Sequence, residues 1–198
     1  LQKIANAGES LKSAGDKVTV VGKKMSVVSA GIVAAGTAST KAALDFEDAM
    51  AKVSTIADAT EVPIDELDKA ILDLSNQTGI SSTEIADNVY NAISAGQSTG
   101  DAVNFVSNST KLAKAGFAEA GDALDILTTI LNAYGMEASE VTNVSDMLIQ
   151  TQNLGKTTVA ELSSAMGKVI PTANAYGVQL DQLCAGYAIM TANGVATA

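Results

Sequence analysis

The sequence contains no arginine, no histidine and no tryptophan, and all twelve of its basic residues are lysine. Without histidine there is no Ser-His-Asp or Cys-His nucleophile system and no His-ligated zinc or haem. Without arginine the bidentate fork that grips phosphates and guanines is missing. The single cysteine, Cys184, excludes an intrachain disulfide framework. It sits beside Leu183 in an apolar helical pattern, where a small buried hydrophobe is expected rather than a nucleophile. Aromatic residues make up 4% of the chain, and there are two prolines, Pro63 and Pro171. Long stretches are therefore free to be helical.

What is present is alanine, glycine and acid. Apolar residues are 47% of the 198, and 22 acids against 12 lysines leave a formal charge of −10. That balance opposes non-specific attraction to nucleic acid or anionic lipid. The charge is divided unevenly. Residues 1–44 carry net +4 and residues 45–198 net −14, which suggests a boundary between an arm (1–44) and a body (45–198).

The arm carries a heptad. Ile4, Leu11, Val18, Met25, Ile32, Ser39, Phe46 and Val53 recur every seven residues, and Ala7, Ala14, Val21, Val28, Ala35, Ala42, Ala49 and Ile56 follow three later. This 3-4 repeat predicts a long helix with a coiled-coil-like seam, of which Ile4, Leu11, Val18, Met25 and Ile32 form the self-association candidate. Gly8, Gly15, Gly22, Ser29, Gly36 and Ala43 edge the seam with small residues. A single amphipathic helix folding back on its own domain fits the same pattern. Helical throughout, residues 1–56 would span roughly 80 Å.

The body reads as a bundle or stack of short helices, so the fold class is all-α. Apolar residues at helical spacing stop near Gly79, Gly96, Gly116, Gly135, Gly155 and Gly177, each expected as a left-handed cap. Ser81-Ser82-Thr83-Glu84 and Thr158-Val159-Ala160-Glu161 have the form of capping boxes. Pro171 is expected to kink its helix. Asn132-Ala133-Tyr134-Gly135 recurs as Asn174-Ala175-Tyr176-Gly177, with Asn91-Ala92 one step earlier, at intervals of 42 and 41 residues. This spacing fits stacked helix pairs, and equally the preference of Asn, Tyr and Gly for helix ends. The acids Asp58, Glu61, Asp65, Glu66, Asp68 and Asp73 do not match a calcium loop and read as a solvated face. No catalytic residue, cofactor site or metal site is expected.

From Phe46-Glu47-Asp48-Ala49-Met50 onward the chain resembles the core of phage tail tape measure proteins. The resemblance continues through Val53, Ser82-Thr83-Glu84-Ile85-Ala86 and Ala95-Gly96. It runs on through Tyr134-Gly135, Val144-Ser145-Asp146-Met147-Leu148, Leu162 to Pro171, Gly177 and Leu180, and Ala188 to Gly194. It covers about four-fifths of the chain, as a distributed pattern rather than one sharp motif. Phe46, Glu47, Met50, Gly96, Tyr134, Gly135, Asp146, Pro171, Gly177 and Gly194 are its structural candidates. The family's core usually continues beyond such a glycine, so the C-terminus is expected to be truncated.

The resemblance implies a non-enzymatic virion protein that sets tail length during assembly and leaves through the tube at infection. Implied partners are tail tube and tail tip proteins and tail assembly chaperones, to which the heptad of the arm adds further copies of the chain. It implies no specific nucleic-acid binding, and membrane contact only at infection. The implied location is the tail lumen, with the host cytoplasm during assembly. A second reading is a membrane-active or cell-envelope helical protein that inserts residues 18–44. Against it, the uncharged run from Met25 to Thr40 is shorter than the ~20 residues a bilayer core requires.

Overall fold

Residues 37–197 are described in a computed structural model. The seam residues Ile4, Leu11, Val18, Met25 and Ile32, and most of the 18–44 segment, lie outside them. The described residues hold eight α-helices, one 3-10 turn and no strand, so the all-α expectation holds. The chain divides into two units, Leu1–Ile93 and Ser94–Ala198.

In the first unit α1 spans Thr37–Ile56. The expected boundary at 44/45 falls within it. Ala49, Met50 and Val53 are buried on one stripe of the helix. An Asp58 turn follows: the Thr60 amide and hydroxyl both donate to Asp58 Oδ1, at 2.8 and 2.6 Å. Pro63 then precedes α2 (Ile64–Thr78), whose first turn holds Asp65 and Glu66, where acids complement the helix dipole. Leu67, Ile71 and Leu74 form its buried stripe. The left-handed Gly79 ends it, donating its N–H to the Ser75 carbonyl. In α3 (Ser82–Ser94) the buried face is Ile85, Ala86, Asn88, Val89 and Ala92. The Ser81 hydroxyl accepts from the Glu84 amide at 3.2 Å, which is one half of the expected capping box. Lys52 and Asp87 form an exposed ion pair at 3.4 Å, a contact of little energetic weight.

The second unit has five helices: α4 (Thr99–Gly116), α5 (Ala120–Tyr134), α6 (Val141–Leu154), α7 (Val159–Ala175) and α8 (Leu180–Ala192). A 3-10 turn, Ala138–Glu140, leads into α6. They form two layers. In one, α4 packs on α6 and α6 on α8; in the other, α5 packs on α7; α5 also packs against α4 and α6. Burial follows from this placement. Ala120, Ala123, Leu124, Ile126, Leu127, Thr128, Ile130 and Leu131 of α5 are all buried, because neighbours cover it on several sides. In α7 burial is confined to one stripe, Val159, Leu162, Ala165, Met166, Ile170 and Ala173. The Thr158–Glu161 box is complete: the Glu161 amide donates to Thr158 Oγ1 at 3.2 Å and the Thr158 amide to Glu161 Oε2 at 3.0 Å. Four buried hydroxyls are satisfied within their own helices: Ser109, Thr128, Thr151 and Thr191 donate to the carbonyls of Val106, Leu124, Met147 and Tyr187, whereas the buried Thr110 hydroxyl has no partner.

Two glycines depart from the left-handed capping expected of them. Gly79, Gly96, Gly135, Gly177 and Gly194 do have positive φ. Gly116 instead remains inside α4, and the exposed Phe117 takes the left-handed position, φ 52°. Gly155 is extended, φ −97° and ψ −173°. Both are needed for space. A Cβ on Gly116 would collide with the side chain of Val159, and one on Gly155 with Thr191 Oγ1 and, at 2.9 Å, the Thr151 carbonyl. Pro171 lies within α7 without ending it.

Candidate functional site

Among the described residues no group of three or more His, Cys, Asp or Glu could hold a metal ion. None of the described helices is long and apolar enough to cross a membrane. The perturbed titrating groups owe their shifts first to burial. Burial and then Asp65 raise the Asp68 carboxyl, with Lys69 pulling it down. Burial also raises the buried Cys184 thiol, with the Thr151 hydroxyl acting the other way and Asp181 reinforcing the rise. A raised thiol in an apolar helix face is an inert packing group.

The organised polar chemistry lies instead at helix C-termini in the second unit. Asn132, in the last turn of α5, donates from Nδ2 to the Ala95 carbonyl at 2.8 Å. Asn174, in the last turn of α7, donates from Nδ2 to the Ala133 carbonyl at 2.6 Å. Tyr134 reaches forward, its hydroxyl donating to the Val178 carbonyl at 3.1 Å. Burial, then Cys184 and Asp181, raise its pKa, which keeps it a donor. The ends of α5 and α7 are thus tied to one another by side chains that donate to backbone carbonyls, that of Ala133 being one a helix end leaves orphaned and that of Val178 lying in the following loop. Gly135 and Gly177 follow, at φ 63° and 75°, as the left-handed residues that end α5 and the turn after α7.

The repeated Asn-Ala-Tyr-Gly is therefore a structural joint, with one correction. Its earlier counterpart is not Asn91-Ala92 but Ala95-Gly96, since Ala95 supplies the acceptor and Gly96 the positive φ of 102°. The interval from Gly96 to Gly135 is 39 residues, and α7 extends the next to 42. A second series keeps the 39-residue spacing without a shared motif: Gly116, Gly155 and Gly194 close α4, α6 and α8. The first two make the close approaches described above. Sequence reasoning missed their role because nothing in the local pattern separates a glycine needed for space from one needed for φ.

The remaining sequence candidates do not converge on one place. Phe46 and Glu47 are half-buried on α1 beside fully buried Met50. Asp146 is exposed on α6, Pro171 is exposed on α7, and Gly194 lies after α8. Of the ten, Gly96, Tyr134, Gly135 and Gly177 belong to the joints.

Comparison with known proteins places this geometry in context. Residues 68–198 match the family described as phage-related minor tail protein. A protein of Clostridium phage phiCD119, named probable tape measure protein, is 40% identical over 160 residues, covering 79% of this chain and 16% of that protein. The tape measure protein of Pneumococcus phage Dp-1 is 24% identical over 195 residues, covering 98% of this chain and 17% of its own length. The chain spans about one sixth of the length of these curated relatives. No solved structure matches it.

Proposed function

Since the chain belongs to the phage-related minor tail protein family, we propose that it is the helical core segment of a tail tape measure protein, a structural component that sets tail length during assembly and is released through the tube at infection. The observation that carries this reading is the 40% identity to the phiCD119 protein over 79% of the chain. The fold supports it: a stack of helices joined by backbone-directed ties suits a scaffold. Residues 18–44, which the membrane-active reading would insert, lie mostly outside the described residues.

In this reading residues 1–44 are the ruler and residues 45–198 a folded block. The −14 body faces water or basic partners, which would be tail tube, tail tip or assembly chaperone surfaces, and the heptad of the arm joins copies of the chain. The protein acts in the tail lumen after assembly in the host cytoplasm, without catalysis or a cofactor.

The test is an in-frame deletion of residues 8–35 in the phage. Twenty-eight residues are four heptads, so the seam stays in register, and a helical ruler loses roughly 42 Å at 1.5 Å per residue. Electron micrographs should show infectious particles whose mean tail length falls by about that distance, rounded to whole tube rings. Full-length tails would refute a ruler role for the arm.

A further inference from the structure

We propose that the outer face of α7 and α8 is an internal joint of a longer helical stack. Its occupant is a further helix pair of the same repeat, following Thr197 in the full-length protein. Four observations converge on it.

The first is α8 itself. Its inner stripe, Leu180, Cys184, Tyr187, Ala188 and Thr191, is buried. Yet beyond the first turn, which carries exposed Asp181 and Gln182, the opposite side is also apolar, with Ile189 64% and Met190 46% exposed, and Val195 beyond the helix 54% exposed. From Gln182 to Ala198 there is no charged residue. A helix apolar all round is one that neighbours cover on more than one side; α5, in mid-stack, shows what such cover looks like.

The second is the tyrosine. Tyr134 is tied to the carbonyl that follows the next glycine cap. Tyr176 holds the same position in the next joint and is 85% exposed, with Val169 one heptad earlier 40% exposed on the same side of α7. A further repeat would present the carbonyl after its own glycine to the Tyr176 hydroxyl, and a carboxamide donor to the Ala175 carbonyl.

The third is register. Thr158, three residues after Gly155, caps α7. Thr197 stands three residues after Gly194 and 39 after Thr158, at the position from which the next helix would start. The fourth is length, since the matched relatives are about six times as long as the segment they share with this chain. Stacked repeats bury their faces only against neighbours, so an apolar outer face marks an inner repeat, whereas a terminal one is polar.

This inference does not rest on the tail-length role and is tested apart from it. Ile189→Cys is introduced into the full-length protein and into the 198-residue chain, and maleimide labelling is followed in both, with the parent proteins correcting for buried Cys184. Position 189 should label at least about tenfold more slowly in the full-length protein, because access then requires local opening. Ile189→Asp provides the second measurement: it should leave the melting of the 198-residue chain unchanged and lower that of the full-length protein. Equal labelling in both proteins, or an equal effect of Ile189→Asp, overturns the proposal. Protection of position 189 in the 198-residue chain that grows with concentration would identify a second copy as the occupant, and would overturn it as well.

Discussion

The close approach at Gly116 yields a prediction whose sign is opposite to the ordinary one. Replacing a glycine in a helix by alanine normally stabilises, by roughly 0.5–1 kcal/mol, because the unfolded chain has less freedom to lose. Gly167, in the middle of α7 with nothing within 4 Å of an added Cβ, should behave so. At Gly116 the added methyl would stand 2.7 Å from Val159 Cβ and closer still to Cγ2. A rotamer change moves Cγ2 but not Cβ, so the backbone at the start of α7 must shift. Overpacking of this kind costs about 1–3 kcal/mol, and a clash with a Cβ belongs at the upper end. Subtracting the propensity gain leaves a net loss of about 2 kcal/mol, or about 4–8 °C in Tm for a chain of this size.

Urea unfolding of Gly116→Ala and Gly167→Ala should shift the midpoints in opposite directions at unchanged m. In the double variant Gly116→Ala with Val159→Gly both clashing atoms, Cβ and Cγ2, are removed, so its loss should be smaller than the sum of the single losses by about 1 kcal/mol or more. A Gly116→Ala protein as stable as Gly167→Ala, or strict additivity in the cycle, would refute the account of why α4 ends in glycine.

Asp68 is buried enough to be held above its ordinary value of 3.8, and its Oδ1 has no partner. A raised folded-state value means that the folded chain binds the proton more tightly, so the penalty is complete at neutral pH and fades as pH falls through the folded value towards 3.8. Asp68→Asn should therefore raise the urea midpoint at pH 7, by an amount that shrinks across that acidic window. Phe117→Gly should stabilise by about 0.5 kcal/mol, since an 87% exposed phenylalanine at φ 52° gives up a strained conformation and little burial; a loss measured by thermal melting would count against strain there. Tyr134→Phe and Asn174→Ala should each cost about 1 kcal/mol in urea unfolding through one lost tie between helix ends. Sedimentation tests the arm: if the heptad seam proposed for it joins copies of the chain, Ile32→Asp should abolish self-association, because that seam would bury a carboxylate without a counter-charge, and monomeric behaviour of both proteins at high concentration would favour the fold-back helix.

The helices were legible because their punctuation is local. Thr158 and Glu161 meet as a reciprocal box because four consecutive residues suffice to specify it, and Gly79, Gly135 and Gly177 stop helices through their own φ. The joints were only half legible. The repeated Asn-Ala-Tyr-Gly is visible in sequence, but its function depends on which distant carbonyl each Asn and Tyr finds, as Asn132 finds Ala95 and Tyr134 finds Val178. Gly116 and Gly155 misled for a related reason: the demand on them comes from Val159 and Thr191, which reach them only through packing. Ser98, whose hydroxyl accepts from the Asp101 amide at 3.1 Å to open α4, was missed although its Ser-x-x-Asp pattern was readable.

The two-layer order of the second unit has a mechanical consequence. The helices that pack together are one to three apart along the chain, so the forces holding the unit act between near neighbours in sequence. A globule whose first and last segments share a core must give way all at once when pulled from one end. Here a pull on the α8 end detaches α8 from α6, with the Lys156–Thr191 hydrogen bond, then α7 from α5, with the Asn174 and Tyr134 ties. The resistance comes as a series of small yields rather than one large one. Short-range contacts of this kind also re-form quickly, so the same polypeptide can be drawn out through a narrow passage and recover its helix pairs on the far side.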